Sequence, residues 1–358
     1  MRGAIAVTNG SDRMVPMSAR PLRTVLGLPW WLLQLATGAK SFKDNPLIGS
    51  KRLNRAGLHV RRMAFAHRMA GIRRARMAAR LTPEQLAEFD ANGFVRIDNA
   101  LPQPVFDALR EAVLNHEAPA REMLQGDTIT RRIAIDSAFL RAVPGVSALL
   151  DDPRWRGLAR YVASHDSEPV HYVQTILTHR ADAPADPQTA FHADTFHPTM
   201  KAWFFLTDVA EDEGPLCYVP GSHRLTPERL AWERQRSVLA PDGVDHLSAR
   251  GSMRVSPEDL RAMGLPEPAA FAVRANTVIV ADTCGFHARG HSVRPSIRVE
   301  IWSYSRRNPF LPWAGLDPAT LPGLAADRVP LMWRARDVLS RWIGQPWQNV
   351  GRKRPAVP

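Results

Sequence analysis

The chain carries a His-x-Asp step at His192-Ala193-Asp194. In extended backbone, residues i and i+2 project to the same side, so this imidazole and carboxylate can approach one metal ion together. A third ligand must come from elsewhere. Downstream, the strand-like run 276–281 leads into Asp282-Thr283-Cys284-Gly285-Phe286-His287, and Arg298 follows that histidine by eleven residues. Two histidines and one carboxylate on one face leave three coordination positions open, the arrangement that suits non-haem Fe(II) and dioxygen chemistry. A bidentate 2-oxo acid would take two of those positions and O2 the third. The far carboxylate of 2-oxoglutarate would then need a fixed cation, and the forked guanidinium of Arg298 serves that need better than a lysine. A His-x-Asp step alone is common and is usually a surface turn. Its combination with a strand-borne histidine and an arginine at this spacing is far more specific.

The elements that must position these residues are legible as a change of pattern along the chain. Thr82-Pro83-Glu84-Gln85 reads as an N-cap, a proline at N1 and a glutamine at N3, opening a helix through Phe89. A short alternating strand over 93–97 and an amphipathic helix over 104–115 follow. Beyond residue 152 the segments 170–178, 200–209, 216–219, 270–281 and 297–305 alternate with period two and are punctuated by glycine and proline. Between them, 225–264 reads as a helical, loop-rich insert with caps at Thr226-Pro227-Glu228 and Ser256-Pro257-Glu258-Asp259. Helices first and spaced strands later, without a βαβ rhythm, predict a mainly β chain with flanking helices (α+β), an antiparallel sandwich or jelly roll.

Composition bounds the function classes. With 358 residues, 45% of them apolar and 23% charged, the chain can bury a full core. Cys217 and Cys284 form no CxxC pair, which excludes a disulfide scaffold and a zinc finger and fits a reducing compartment. The net charge of +12 is uneven: residues 1–80 carry +14 and residues 310–358 carry +4, leaving 81–309 at −6. An acidic body with cationic arms disfavours a nucleic-acid partner and points the arms at phosphate or an anionic membrane. Six of the ten tryptophans (Trp30, Trp31, Trp313, Trp333, Trp342, Trp347) sit in these flanks, where an amphipathic ring beside arginine suits a headgroup layer. The apolar run 25–36 is too short to span a bilayer, which needs about 20 residues. Its flanks imitate a signal peptide, although paired tryptophans and Pro29 fit one poorly, and an interfacial anchor is the favoured expectation. From 53 to 81 the composition is helical, with Leu58, Phe65, Met69 and Ile72 on one predicted seam.

Lys201-Ala-Trp-Phe-Phe-Leu-Thr-Asp-Val209, followed by Glu213-Gly214-Pro-Leu-Cys-Tyr-Val-Pro220-Gly221-Ser222-His223, resembles the phytanoyl-CoA dioxygenase family of Fe(II)/2-oxoglutarate oxygenases, as does Phe89-Asp-Ala-Asn-Gly-Phe-Val-Arg-Ile97. The resemblance covers about 81–305. It implies a double-stranded β-helix (jelly-roll, cupin-like) core with His192, Asp194 and His287 on iron, Arg298 on the co-substrate and Trp203 flanking it. The family spacing favours His287 over His291, and Arg298 over Arg294, which precedes a proline. The presence of Asp194 points to hydroxylation, since halogenating relatives lack that carboxylate. His179 and His197 are expected to be substrate-side or structural, His223 to end a turn, and Cys284 to be a small core residue. The expected organisation is a basic helical arm (1–80), a dioxygenase domain (81–309) and a basic, Trp-rich tail (310–358).

The expected function is therefore hydroxylation of an aliphatic carbon, with 2-oxoglutarate converted to succinate and CO2. The flanks direct the substrate expectation to a lipid or a lipid-linked envelope molecule, such as the inner-core Kdo of lipopolysaccharide. The expected location is cytoplasmic, peripheral on the inner face of the cytoplasmic membrane. The alternatives are the same chemistry on a soluble acyl-CoA or small metabolite, or a non-catalytic membrane-associated binding module.

Overall fold

The computed structural model describes residues 20–243, 245–317, 321 and 324–357, with side chains from residue 27 onward. Residues 1–19 of the basic arm lie outside the described residues, as do the side chains of Arg20 and Arg23. The chain opens with helices α1 (Arg20–Leu35), α2 (Lys51–Arg55), α3 (Leu58–Ala75) and α4 (Pro83–Asn92). Strand β1 (Phe94–Ile97), helix α5 (Gln103–Asn115), strands β2 (Ala118–Gln125) and β3 (Thr128–Ala134), and helices α6 (Ser137–Ala142), α7 (Pro144–Asp151) and α8 (Pro153–Ala163) follow. Strands β4 (Val170–Leu177), β5 (Met200–Phe205) and β6 (Leu216–Tyr218) lead to helices α9 (Pro227–Leu239), α10 (His246–Ala249) and α11 (Pro257–Ala262). Strands β7 (Ala269–Phe271), β8 (Val278–Asp282), β9 (His287–Arg289) and β10 (Ile297–Ser305), helices α12 (Arg328–Val338) and α13 (Ser340–Ile343), and strand β11 (Gln348–Lys353) complete it.

Two antiparallel sheets result, an eight-stranded one in the order β1-β8-β5-β10-β4-β3-β2-β11 and a three-stranded one in the order β7-β6-β9. This is the jelly-roll arrangement expected. The central strands β4, β5, β8 and β10 of the large sheet are buried on both faces, and the period-two rule sorts their side chains. Ala202, Phe204, Val278, Val280, Val299 and Ile301 pack under α4, α5 and α8. Trp203, Phe205, Ile279 and Trp302 point inward, towards Tyr218 and Phe271 of the small sheet.

The Thr82 capping box with Gln85 forms as predicted, as do the caps at Thr226 and Ser256. The run 270–281 is two strands instead of one. The chain leaves the small sheet after β7 and joins the large sheet at β8, with Asn276 in the left-handed region (φ 70°) at the crossing. Strands β2, β3 and β11 were not anticipated. Their hydrophobic alternation is hidden because arginines occupy inward positions: Arg131 pairs with Glu122 at 2.6 Å, and Arg121 pairs with Asp337 of α12.

The N-terminal segment is packed into the body. The seam predicted from Leu58, Phe65, Met69 and Ile72 is displaced: α3 instead buries His59, Arg62, Met63, Ala66, Met69, Ala70 and Arg73, and Phe65 is 48% exposed. Two arginines take core positions because backbone carbonyls satisfy them. Arg62 donates to the carbonyls of Leu35, Thr37 and Ala39, and Arg73 to those of Ser164, Pro309 and Leu311. No helix among the described residues is long and apolar enough to cross a membrane.

Candidate active site

His192 and His287 form a mutual antiparallel bridge, each backbone N–H donating to the other's carbonyl at 3.0 Å. Residues paired in this way project to the same face, and their ring centroids stand 4.6 Å apart. His287 lies on β9 opposite Tyr218 of β6, so His192 adds one rung to the edge of the small sheet. Two residues on, the Asp194 N–H donates to the Thr283 carbonyl at 2.9 Å. The three side chains thereby converge: the ligand-type atoms of His192, Asp194 and His287 all lie within 4.8 Å of one another. Each histidine Nε2 is 3.7 Å from an Asp194 carboxylate oxygen.

The donor set fits a divalent metal. His192 Nδ1 contacts the Ala190 carbonyl at 2.8 Å and His287 Nδ1 the Gly285 carbonyl at 3.0 Å. A carbonyl can only accept, so each Nδ1 carries the proton and each Nε2 lone pair is turned to the common point. Burial pushes both imidazoles down, His192 well below its ordinary value and His287 to about 4, which keeps both neutral. Burial alone would raise Asp194, but the Lys201 ammonium outweighs it and holds the carboxyl well below the usual range. Lys201 Nζ lies 2.7 Å from Asp194 Oδ2 and 3.4 Å from His287 Nε2. Lys201 is thus the ion-pair partner of the buried Oδ2.

The turn that carries His287 is braced from beneath. Asp282 is buried; its Oδ1 accepts from the backbone of Thr199 and Cys284, and its Oδ2 pairs with Arg74 of α3 at 2.9 Å. The Tyr218 hydroxyl donates to the Asp282 carbonyl at 2.8 Å. A Cβ on Gly285 would fall 1.9 Å from that hydroxyl, so only glycine fits there.

The cluster opens into a cavity of about 540 Å³ lined by Trp203, Trp302, Tyr304, Leu216, Met123 and Trp347 among others. Arg298 of β10 reaches it from a buried position, donating through Nη1 to the Gly214 carbonyl at 2.8 Å and lying 3.0 Å from Glu300 Oε2 through Nε. Trp203 is on β5, directly opposite Trp302 in the β5–β10 register. His291 is exposed, and Arg294 pairs with Asp212 and Glu213 at the surface. His197 is buried, with Nδ1 on the Pro198 carbonyl, and His179 contacts the Ser292 carbonyl. His223 is buried against Phe89 and Cys284 is buried beside His67.

Sequence reading missed Lys201, Lys40, Glu300 and the Arg74–Asp282 brace. Lys201 had a signal, a lone lysine two residues before Trp203 in an apolar strand. Lys40 had none: it arrives from the segment after α1, and its ammonium, pushed down to about 8 mainly by burial, donates to the Asp194 carbonyl.

A family model described as phytanoyl-CoA dioxygenase matches residues 89–243. Among solved structures, the chain is similar to the non-haem alpha-ketoglutarate-dependent epimerase SnoN from nogalamycin biosynthesis (22% identity, 62% of this chain and 81% of that one, TM-score 0.42). It is also similar to HygX from Streptomyces hygroscopicus with nickel, 2-oxoglutarate and hygromycin B bound (19%, 63% and 86%, 0.38). AviO1 from Streptomyces viridochromogenes Tue57 is a third (17%, 67% and 96%, 0.38). No curated protein matches the chain.

Proposed function

We propose that this chain is a member of the phytanoyl-CoA dioxygenase family of Fe(II)- and 2-oxoglutarate-dependent oxygenases, whose model matches residues 89–243, and that it hydroxylates an aliphatic carbon of a lipid or lipid-linked envelope substrate. In this reading His192, Asp194 and His287 hold the iron. Arg298 takes the distal carboxylate of 2-oxoglutarate, and Trp203 flanks that co-substrate. Bound iron, with 2-oxoglutarate and O2, supplies the oxidation: the 2-oxo acid becomes succinate and CO2, and one oxygen atom enters a C–H bond. The chain's own contribution is to fix the tautomers of both histidines, to keep Asp194 ionised beside Lys201, and to wall the site with aromatic rings that exclude water.

The observation that carries the reading is the convergence of the two Nε2 atoms and the Asp194 carboxylate on a cavity that Arg298 also lines. The lipid part is supported by exposed apolar side chains in the two flanks: Leu28, Trp30, Leu32 and Leu33 on α1, and Trp342 and Ile343 on α13. Large apolar groups left in water on two such segments suit an interface with lipid. The test is conversion of 2-oxoglutarate to succinate by the full chain with Fe(II). Alanine at His192, Asp194 or His287 is expected to abolish it, and alanine at His291 to leave it intact. Turnover that survives His287→Ala and is lost in His291→Ala would reject the ligand assignment. Products 16 mass units heavier in membrane extracts, set against acyl-CoA and small-metabolite pools, identify the substrate class.

A further inference from the structure

The cavity walls carry far more positive than negative charge. Lys40, Arg132, Lys201, Arg289, Arg298 and Arg306 line it, against the single carboxylate of Asp194. Some of this charge is already answered. Arg289 pairs with Asp186, Arg298 with Glu300, and Lys201 with Asp194. Arg132 is stacked over Trp302 at 4.2 Å and hydrogen-bonded to Gln174 at 2.9 Å.

Lys40 and Arg306 are different. Neither has a carboxylate within ion-pair distance among the described residues, and both are held by backbone carbonyls of one neighbourhood. Lys40 Nζ donates to Asp194 O, and Arg306 Nη2 to Gly38 O at 2.5 Å. Lys40 is half-buried and Arg306 is exposed. Two cations on a cavity wall with no carboxylate of their own attract an anion. A divalent metal would deepen the surplus, and the co-substrate's two carboxylates are accounted for by the metal and Arg298. The same wall carries the stacked rings of Trp302 and Tyr304, at 5.7 Å and 9°.

We infer that the substrate of this site carries an oxyanion, a carboxylate or a phosphate, bound by Lys40 and Arg306. This rests on the oxygenase reading above and adds the chemical class of the substrate. It also gives the segment after α1 a role in the site.

The experiment is anaerobic calorimetry on the full chain with Fe(II) and saturating 2-oxoglutarate, titrated with octanoate, octyl phosphate and 1-octanol. The two anions are expected to bind and the alcohol to bind at least about tenfold more weakly, as loss of a charged hydrogen bond implies. Lys40→Met and Arg306→Met should each weaken anion binding by about tenfold, and Lys40→Arg should restore most of it. Tighter binding of octyl phosphate than of octanoate assigns a phosphate, and the reverse a carboxylate. Equal affinity for octanol, or unchanged affinity in both methionine variants, would overturn the inference. So would binding to anionic vesicles with no binding of the short probes. Succinate formation by the wild-type chain is measured in parallel. If it is absent the oxygenase reading falls, whereas if it is present and the anions fail to bind, only this inference falls.

Discussion

At the scale of single residues, the site depends on groups whose geometry leaves them one job. His192 and His287 each spend Nδ1–H on a carbonyl, so Nε2 is committed to the shared centre. Arg298 is fixed by Gly214 and Glu300, and Arg294 is engaged at the surface. A planar fork held in this way matches a carboxylate bidentately, whereas an ammonium offers a point charge. Arg298→Lys is therefore expected to raise the KM for 2-oxoglutarate by about tenfold or more, close to 1.4 kcal/mol of lost binding. Arg294→Lys should leave it unchanged. Steady-state kinetics of succinate release check both, and an unaltered KM in the first variant would remove Arg298 from its assigned role.

At the scale of elements, α3 is the piece whose importance exceeds its appearance in sequence. Its Arg74 reaches the turn between β8 and β9 and pairs with buried Asp282, five residues before His287 in the chain. Removing one partner of a buried ion pair costs about 3–5 kcal/mol. Arg74→Met should lower the thermal midpoint and also weaken metal binding, although Arg74 does not touch the triad. Adding Asp282→Asn should recover part of the stability by removing the unpaired charge; metal affinity equal to wild type in Arg74→Met would show that the brace is not needed. The same helix is tied to α9 through Glu233, which contacts His59 at 2.9 Å and Arg229 at 2.7 Å. Burial alone would raise this carboxyl, but Arg229 and His59 hold it near 2, against 4.5 in the unfolded chain. A depressed folded value means stability present above pH 4.5 and lost as the pH falls towards 2. Glu233→Gln should thus be less stable than wild type at pH 6 in urea unfolding, with the gap narrowing by pH 3. A constant gap would contradict this.

At the scale of the whole molecule, the basic flanks divide into two populations. Arg62, Arg73 and Arg74 are turned inward and hold loops by their carbonyls. The outward remainder of the flanks includes Trp30, Ile343 and Trp342, the last 77% exposed. If these surfaces hold the enzyme at a membrane, the full chain should bind vesicles containing anionic lipid, and salt should weaken that binding, exposed charges being screened over about 8 Å at physiological ionic strength. Trp30→Ala and Trp342→Ala should weaken it further, and cosedimentation reads the outcome. Binding that is indifferent to salt and to both substitutions would assign these faces to another contact and leave the substrate to be sought among soluble metabolites.

The sequence by itself determined what short-range chemistry encodes: the His-x-Asp step, the capped helices, and strands whose apolar residues alternate. These signals are local, since spacing of one or two residues already decides which side chains share a face. Tertiary structure alone decided that His192 and His287 are bridge partners, because that pairing joins residues 95 positions apart through hydrogen bonds no local pattern specifies. It also decided that arginines fill core positions in α3 and in β2 and β3, where carbonyls and carboxylates brought from distant segments replace the hydration that sequence reading assumes a guanidinium keeps. For the same reason Lys40 entered the cavity unannounced: nothing near it in the chain marks it, and its partner, the carbonyl of Asp194, lies 154 residues away.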